Sequence, residues 1–432
     1  QILLNHTPQL CCGWVVDYIG TNDGLRYKLN FVSEQAPVLI SGKSIRATGT
    51  IGSTTAFGDS SFNVQGLEIL DNGGVASAGE NPNLGEQKTA VILVNSRENP
   101  IEPMTKEEIW NIFFNKSYDS DGDGINDSVT SYIEEVSHGK AWLSGDVYGW
   151  YSSDLSEGNL CSYPLPFALS AGDPEIDFRN YKRVAIIAAG SADNCAMGIS
   201  YNFGMPEIPY HTNDGDVFFT AYNANIIENY FDLNTVISTL IHEFGHNLGI
   251  WHSNNLECGD KTIDENCMSI EYGNNLDIMG SGLGHFSLFG QEQAGWLSDS
   301  NIFTINGGDN VVNIEPLETE SNGIKLLKIV TNKSLNIHDH YLQDTNQKIV
   351  YYIEYRRPIG HDKKINYYGG RNFNYDGAII NINRNLLDNF PQDSKFCNNG
   401  SEFFYIDCTD YPLMCITSFP VEYPYCSVYR GD

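Results

Sequence analysis

Between residues 242 and 252 the chain reads His-Glu-Phe-Gly-His-Asn-Leu-Gly-Ile-Trp-His, the spacing H-E-x-x-H-x-x-G-x-x-H. No other stretch restricts the fold as strongly. Residues four apart stack on one face of a helix, so a helix here turns His242 and His246 toward a single metal ion. The preceding run Asn234–Ile241 suits a buried helix, with Asp232 or Asn234 as N-cap. Gly249 then frees the backbone to leave the helix sharply, returning His252 as a third ligand. Three imidazoles suit one Zn²⁺ ion, and a catalytic zinc keeps three protein ligands and one open position. Glu243 falls one position round from His242, near the metal but off it, where a carboxylate serves as general base and acid. A buried helix with satisfied core histidines is the usual reading of a lone histidine. Five fixed positions, the helix-ending glycine included, outweigh it here.

Downstream lies Asn275-Leu276-Asp277-Ile278-Met279-Gly280-Ser281-Gly282, a methionine in a tight glycine-rich setting. Together the two segments resemble the metzincin clan, whose long zinc motif is followed by a methionine-bearing turn. The resemblance implies that Met279 supports the zinc histidines from below without binding the metal. Within the clan the chain is similar to the gametolysin family and its bacterial relatives. Residues Ser131–Lys140, Leu143–Trp150, Gly85–Asn95, His285–Ser287 and Gln293–Leu297 carry that likeness. One departure is plain. Ser281 stands where some metzincins have a tyrosine that swings onto the metal, so that device is not expected.

The expected fold is an α/β metzincin catalytic domain, a twisted mixed sheet plus the active-site helix, flanked by two β domains. Residues 1–75 alternate short β-like runs (Tyr27–Val32, Ser44–Thr50, Asn63–Leu70) with turns and read as a small, barrel-like β domain. Residues 76–86 form a linker and 87–299 the catalytic domain. In it, Thr89–Asn95 and Arg183–Ala189 read as interior strands, Trp142–Tyr151 as a further strand, and Thr105-Lys106-Glu107-Glu108 as a capping box opening a helix. A second helix is expected near Ser128–Val136. The segment Cys195–Phe203 is a candidate edge strand, which the clan resemblance pairs with an extended substrate. Residues 300–432 return to an all-β pattern (Ile324–Val330, Lys348–Tyr355, Gly377–Ile382) and read as a disulfide-containing sandwich.

The formal charge of −30, from 55 acidic against 25 basic residues, repels phosphate backbones and argues against nucleic acid as a partner. No apolar run approaches the roughly 20 residues of a membrane helix. Gln1 is compatible with removal of a signal peptide or with a simple boundary. Ten cysteines, an even count, favour disulfides and an oxidising, extracellular setting. Near neighbours are the expected pairs: Cys258 with Cys267, Cys397 with Cys408, Cys415 with Cys426, and Cys161 with Cys195. Sequons begin at Asn5, Asn115, Asn126, Asn332 and Asn399 and matter only in a eukaryotic product.

Asp119-Ser120-Asp121-Gly122-Asp123-Gly124 opens like a calcium loop, with Asp119, Asp121, Asp123 and Asp127 as candidate ligands. The glutamate expected at its twelfth position is replaced by Thr130, and a polar connecting loop is the equal alternative. His285 and Tyr272 lie in the right region to stabilise an oxyanion, though each reads first as a packing or cleft-wall residue. Cys11-Cys12 invites comparison with zinc-blocking cysteines, but disulfide partners elsewhere fit better, and the terminal Arg430-Gly431-Asp432 reads as chance.

The expected chemistry is zinc-dependent hydrolysis of peptide bonds in extracellular or cell-wall proteins or glycoproteins, by a secreted enzyme that binds its substrate as an extended strand. Two alternatives keep the fold. One is an adhesin or binding module, which the intact Glu243 and histidines oppose. The other is a zinc hydrolase of non-peptide amides or esters, which the edge strand opposes.

Overall fold

The computed structural model describes residues 2–8, 15–21, 26–31, 44–54, 60–69, 81–190, 197–201, 210–227, 232–261, 266–338, 345–370, 376–384 and 403–405. The chain divides into two compact units, Asn83–Ile250 and the remainder, Gln1–Pro82 with Trp251–Asp432. Near the N-terminus five strands, β1 (Ile2–Pro8), β2 (Val15–Thr21), β3 (Arg26–Phe31), β4 (Ser44–Thr54) and β5 (Ser60–Ile69), close into a barrel in the order β1-β2-β3-β5-β4.

Unit 83–250 is built on a five-stranded sheet. Its first strand, β6 (Gly85–Ser96), is followed by α1 (Lys106–Phe114) and α2 (Val129–Val136). Strand β7 (Ala141–Ser153), α3 (Glu157–Ser162), α4 (Leu165–Gly172) and β8 (Arg183–Gly190) come next. Then follow β9 (Gly198–Tyr201), a small hairpin of β10 (Tyr210–Thr212) and β11 (Gly215–Val217), β12 (Thr220–Ile227) and α5 (Leu233–Asn247). The strand order is β7-β6-β8-β12-β9. The first four strands run parallel, and β9 alone is antiparallel, paired to β12. β6 and β8 are unbroken apolar runs because both faces of a parallel sheet are covered: Ala90–Val94 and Val184–Ile187 are wholly buried. Ile92, Val94, Ile186 and Ala188 pack against Leu165, Ala168 and Phe219 in one core.

Local signals start the helices where the sequence places them. Thr105 Oγ1 accepts the Glu108 amide while Glu108 Oε2 accepts the Thr105 amide, so two otherwise unpartnered N–H groups are satisfied reciprocally. Ser128 caps α2 through the Ser131 amide.

The second unit continues after residue 250 with β13 (Ser253–Glu257), β14 (Asn266–Ile270), α6 (Leu288–Gln293), β15 (Ile302–Ile305) and β16 (Leu326–His338). It ends with β17 (Thr345–Arg356), β18 (Gly377–Arg384) and β19 (Phe403–Tyr405). They form a seven-stranded sheet in the order β14-β13-β19-β18-β17-β16-β15, with β14 also pairing β16. The strands after residue 300 therefore share a sheet with two strands from just beyond the histidine motif. β13 runs parallel to β19, and β14 parallel to β16. Cys258 and Cys267 are disulfide-bonded across β13 and β14. Cys161 is disulfide-bonded as well. Cys195, Cys397, Cys408, Cys415, Cys426, Cys11 and Cys12 lie outside the described residues, as does Arg430–Asp432.

Candidate active site

Helix α5 carries the first half of the motif. Of the two candidate caps, Asp232 is the one used: its carboxylate accepts the Thr235 amide at 3.1 Å. Val236, Ile237, Leu240, Ile241 and Phe244 bury the inner face of the helix. Four residues of helical rise then bring the His242 and His246 rings to a centroid distance of 4.8 Å, edge to face. The helix ends at Asn247. Gly249 follows at φ 87°, a left-handed conformation that side-chain-bearing residues resist, and the Ile250 amide closes back onto the Gly245 carbonyl at 3.1 Å. The turn carries the continuous chain to His252. His242, His246 and His252 each offer a nitrogen within 4.8 Å of the others.

Hydrogen bonds fix one nitrogen on each of two of these rings. His246 Nδ1 lies 2.7 Å from the Ile250 carbonyl oxygen, which can only accept, so Nδ1 carries the proton and Nε2 keeps its lone pair. His252 Nδ1 lies 2.7 Å from Glu271 Oε1 and is fixed in the same tautomer. An imidazole that donates through Nδ1 presents Nε2 as its donor nitrogen, the form in which a histidine binds zinc. The residues present fit that ion.

Glu243 is buried, and burial raises its carboxyl to about 8. It packs against β9. A β-carbon at Gly198 would come within 2.7 Å of Glu243 Cγ and of Thr239 Cγ2. One turn on, Asn247 Nδ2 donates to Ser200 Oγ at 2.5 Å and to the Ala221 carbonyl at 2.9 Å, tying the helix end to β9 and β12. The buried Arg183 guanidinium donates to the Asn247 carbonyl at 3.2 Å, to Thr220 and to Gln87, and stacks 4.6 Å above Phe244. A cation at a helix C-terminus is electrostatically favoured, and this one anchors the helix to the sheet. Strand β9 is an edge strand; among the described residues no strand pairs with its far side.

Met279 is fully buried. Its amide donates to Asp277 Oδ1, and its carbonyl accepts the amide of Ser253, the residue after His252, at 2.9 Å. Ser281 bonds Asn275 across the same turn. Of the two side chains considered for an oxyanion, Tyr272 stacks on His252 with ring centroids 3.9 Å apart. His285 is outside the histidine group; its amide donates to Asp362 and its carbonyl accepts from Arg356.

The aspartate loop gathers Asp119, Asp121 and Asp127, with carboxylate oxygens within 4.8 Å of one another, and leaves Asp123 outside. These carboxylates serve their own turn. Asp119 accepts the Gly122 and Gly124 amides, Asp127 accepts the Ser120 amide, and Asp123 accepts the Ile125 amide. Thr130, at the position where a calcium loop needs a glutamate, instead bonds the backbone of Leu143.

No motif in the sequence marks Glu271, Gly198, Asn247 or Arg183 as part of the site. No spacing rule links Glu271 to a histidine nineteen residues earlier, and Gly198 acquires meaning only once β9 lies on α5. Asn247, inside the motif at an unrestricted position, was the one within reach.

A protein-family comparison matches residues 177–310 to the peptidase M43 family, described as pregnancy-associated plasma protein-A. Archaemetzincin of Sulfolobus acidocaldarius is 30% identical over 129 residues, 29% of this chain and 63% of that protein. The likeness is to metzincin-type zinc peptidases. This chain spans less than two thirds of the length of archaemetzincin. The crystal structure of metalloproteinase-II from Bacteroides fragilis matches over 50% of this chain and 54% of that one, at 14% identity and a TM-score of 0.29. The matched span 177–310 contains the histidine motif and Met279, whereas residues 127–151, which carry much of the gametolysin resemblance, lie outside it.

Proposed function

We propose that this protein is a secreted zinc endopeptidase that cleaves extracellular or cell-wall proteins or glycoproteins. The observation carrying the reading is the convergence of His242, His246 and His252 beside a buried glutamate, with the Nδ1 protons of His246 and His252 already engaged. In this reading His242, His246 and His252 would hold the metal. When bound, zinc supplies Lewis acidity toward water and toward the scissile carbonyl.

The chain's own residues do the rest. Glu243, with a carboxyl raised toward neutrality, takes the proton from the attacking water and returns it to the leaving amine. β9, which pairs on one side only among the described residues, offers its outer edge to the substrate backbone, which adds as a further strand. Met279, tied through Ser253 to the chain at His252, supports the ligand set from the turn. The gametolysin-like branch is proposed on Ser131–Trp150, and secretion on the Cys258–Cys267 disulfide together with the acidic surface.

Cleavage of casein or gelatin, blocked by a chelator and restored by zinc, tests the reading. A zinc-loaded protein that cleaved no member of a diverse peptide library would overturn it in favour of a binding role. No helix among the described residues is long and apolar enough to cross a membrane.

A further inference from the structure

Glu271 and Tyr272 form the turn that follows β14 and meet His252 from two directions. Glu271 Oε1 accepts the His252 Nδ1 proton at 2.7 Å. The Tyr272 ring lies on the imidazole at 3.9 Å between centroids, inclined by 38°. One contact sets the tautomer and the rotation about the ring axis, and the other sets the ring plane.

The turn is held in an unusual conformation to do so. Tyr272 sits at φ 60°, a left-handed conformation that a bulky residue adopts only when its surroundings impose it. Asn254, two residues after His252, supplies the constraint: its Oδ1 accepts the Tyr272 amide at 3.0 Å. The Gly273 amide then closes the turn onto the Ile270 carbonyl at 3.1 Å. β13 and β14 pair directly behind it through Asn255 and Ile270, and the Cys258–Cys267 bond fastens them.

The other two histidines are held by the helix itself, and His246 also by a main-chain carbonyl within its own turn. His252 lies beyond the helix in irregular chain, with no periodic backbone to aim it. It therefore needs support from outside, and the turn supplies that support.

We propose that Glu271, with Tyr272 beside it, is the positioning group for the third metal ligand, fixing the tautomer and the ring orientation with which His252 would hold the ion. The inference rests on the reading of His252 as a zinc ligand. Glu271 touches neither substrate nor metal; it acts through His252. A carboxylate in this position also makes the imidazole a stronger donor. Tyr272 thereby acquires a role other than oxyanion stabilisation: its ring, not its hydroxyl, is what the geometry uses.

The experiment compares the full chain with Glu271→Gln and Glu271→Ala. Zinc affinity is measured by competition with a chromophoric chelator, and the visible spectrum is recorded with Co²⁺ in place of zinc. Glu271→Ala is expected to weaken zinc binding about 10–100-fold and to alter the Co²⁺ bands. Glu271→Gln can still accept the Nδ1 hydrogen bond, so it should stay within about fivefold of wild type and keep the spectrum. Metal-free melting temperatures of the three proteins should agree. Three results overturn the inference: alanine and wild-type proteins binding zinc within about twofold of each other, glutamine falling as far as alanine, or a metal-free alanine variant melting well below wild type. Failure of the wild-type chain to bind one zinc ion would instead remove the metal reading of the histidines.

Discussion

Gly198 of the edge strand and Glu243 of the helix are packed so closely that no side chain fits between them. A β-carbon on Gly198 would stand 2.7 Å from Glu243 Cγ and 2.8 Å from the Asn223 carbonyl oxygen. The second neighbour is main chain and cannot swing aside. Gly198→Ala must therefore displace β9 or Glu243, and misplacing a reacting group by about an ångström lowers rates about 100-fold. The expected result is a fall of that order in kcat/KM with one zinc ion still bound. Wild-type kcat/KM in this variant would show that the close approach serves only packing.

On the proposed mechanism, Glu243→Gln separates proton transfer from metal binding. The variant keeps the shape and loses the base, so kcat should drop by about 10²–10⁴-fold while zinc content is unchanged. His246→Ala should instead lower zinc content itself, since one of three ligands is gone. Peptidase assays paired with metal analysis on the same samples read both outcomes. Full activity in Glu243→Gln would require another residue to carry the proton.

A different group organises the loop that bears Met279. Arg356 is buried on β17 and donates to Glu354 Oε1 at 2.7 Å, to the Leu276 carbonyl at 2.9 Å and to the His285 carbonyl at 3.2 Å, with Asp362 also beside it. Glu354 in turn accepts the Leu288 amide, and Asp277 accepts the amides of Met279 and Ser287. Arg356→Met leaves these buried carboxylates without their cation, which typically destabilises by about 3–5 kcal/mol. Urea denaturation should show a shift of that size, and an unmoved midpoint would mean that the carboxylates are neutralised in another way.

How far the sequence carries depends on whether a constraint is local. The Thr105 capping box, the cap at Ser128, the buried runs of β6 and β8 and the left-handed Gly249 are each written in a handful of adjacent residues. Asp232 as against Asn234 needed only the hydrogen bond that chose between them. Glu271, Arg183 and Arg356 could not be read this way. Apart from Glu354 and Asp362, which lie close to Arg356 in sequence, the partners named for them are 19 to 100 residues away, so their roles exist only after the strands have paired. The sharing of one sheet by β13, β14 and the strands after residue 300 is hidden for the same reason. Hydrophobic alternation marks a strand without naming its neighbour.

The Cys258–Cys267 bond closes a short loop between β13 and β14, with a sequence separation of nine. Constraining a loop of this length in the unfolded chain is worth roughly 2–3 kcal/mol. The double variant Cys258→Ser, Cys267→Ser should lose about that much in chemical denaturation. Because the same hairpin carries Glu271, zinc affinity should weaken in parallel. Equal stability with and without the bond would show that strand pairing alone holds the hairpin.

Glu318 and Asp362 are two buried carboxyl groups that face each other near Arg356. Burial, reinforced by the neighbouring Asp362 carboxylate, pushes Glu318 well above the ordinary glutamate range. The folded state therefore holds a proton on Glu318 that the unfolded chain releases once the pH passes about 4.5. Above that pH the folded state binds more protons than the unfolded one, so this pair's contribution to stability falls as pH rises, by at most about 1.4 kcal/mol per unit for one proton. Below that value the contribution is fully present, and it is lost as the pH climbs through the raised folded-state value. Glu318→Gln keeps the hydrogen-bonding shape without the titration. Its stability relative to wild type should increase steadily from pH 5 to pH 9 in urea melts. Parallel wild-type and Glu318→Gln profiles over that range would mean that Glu318 is ionised in the folded protein and that Arg356 outweighs burial.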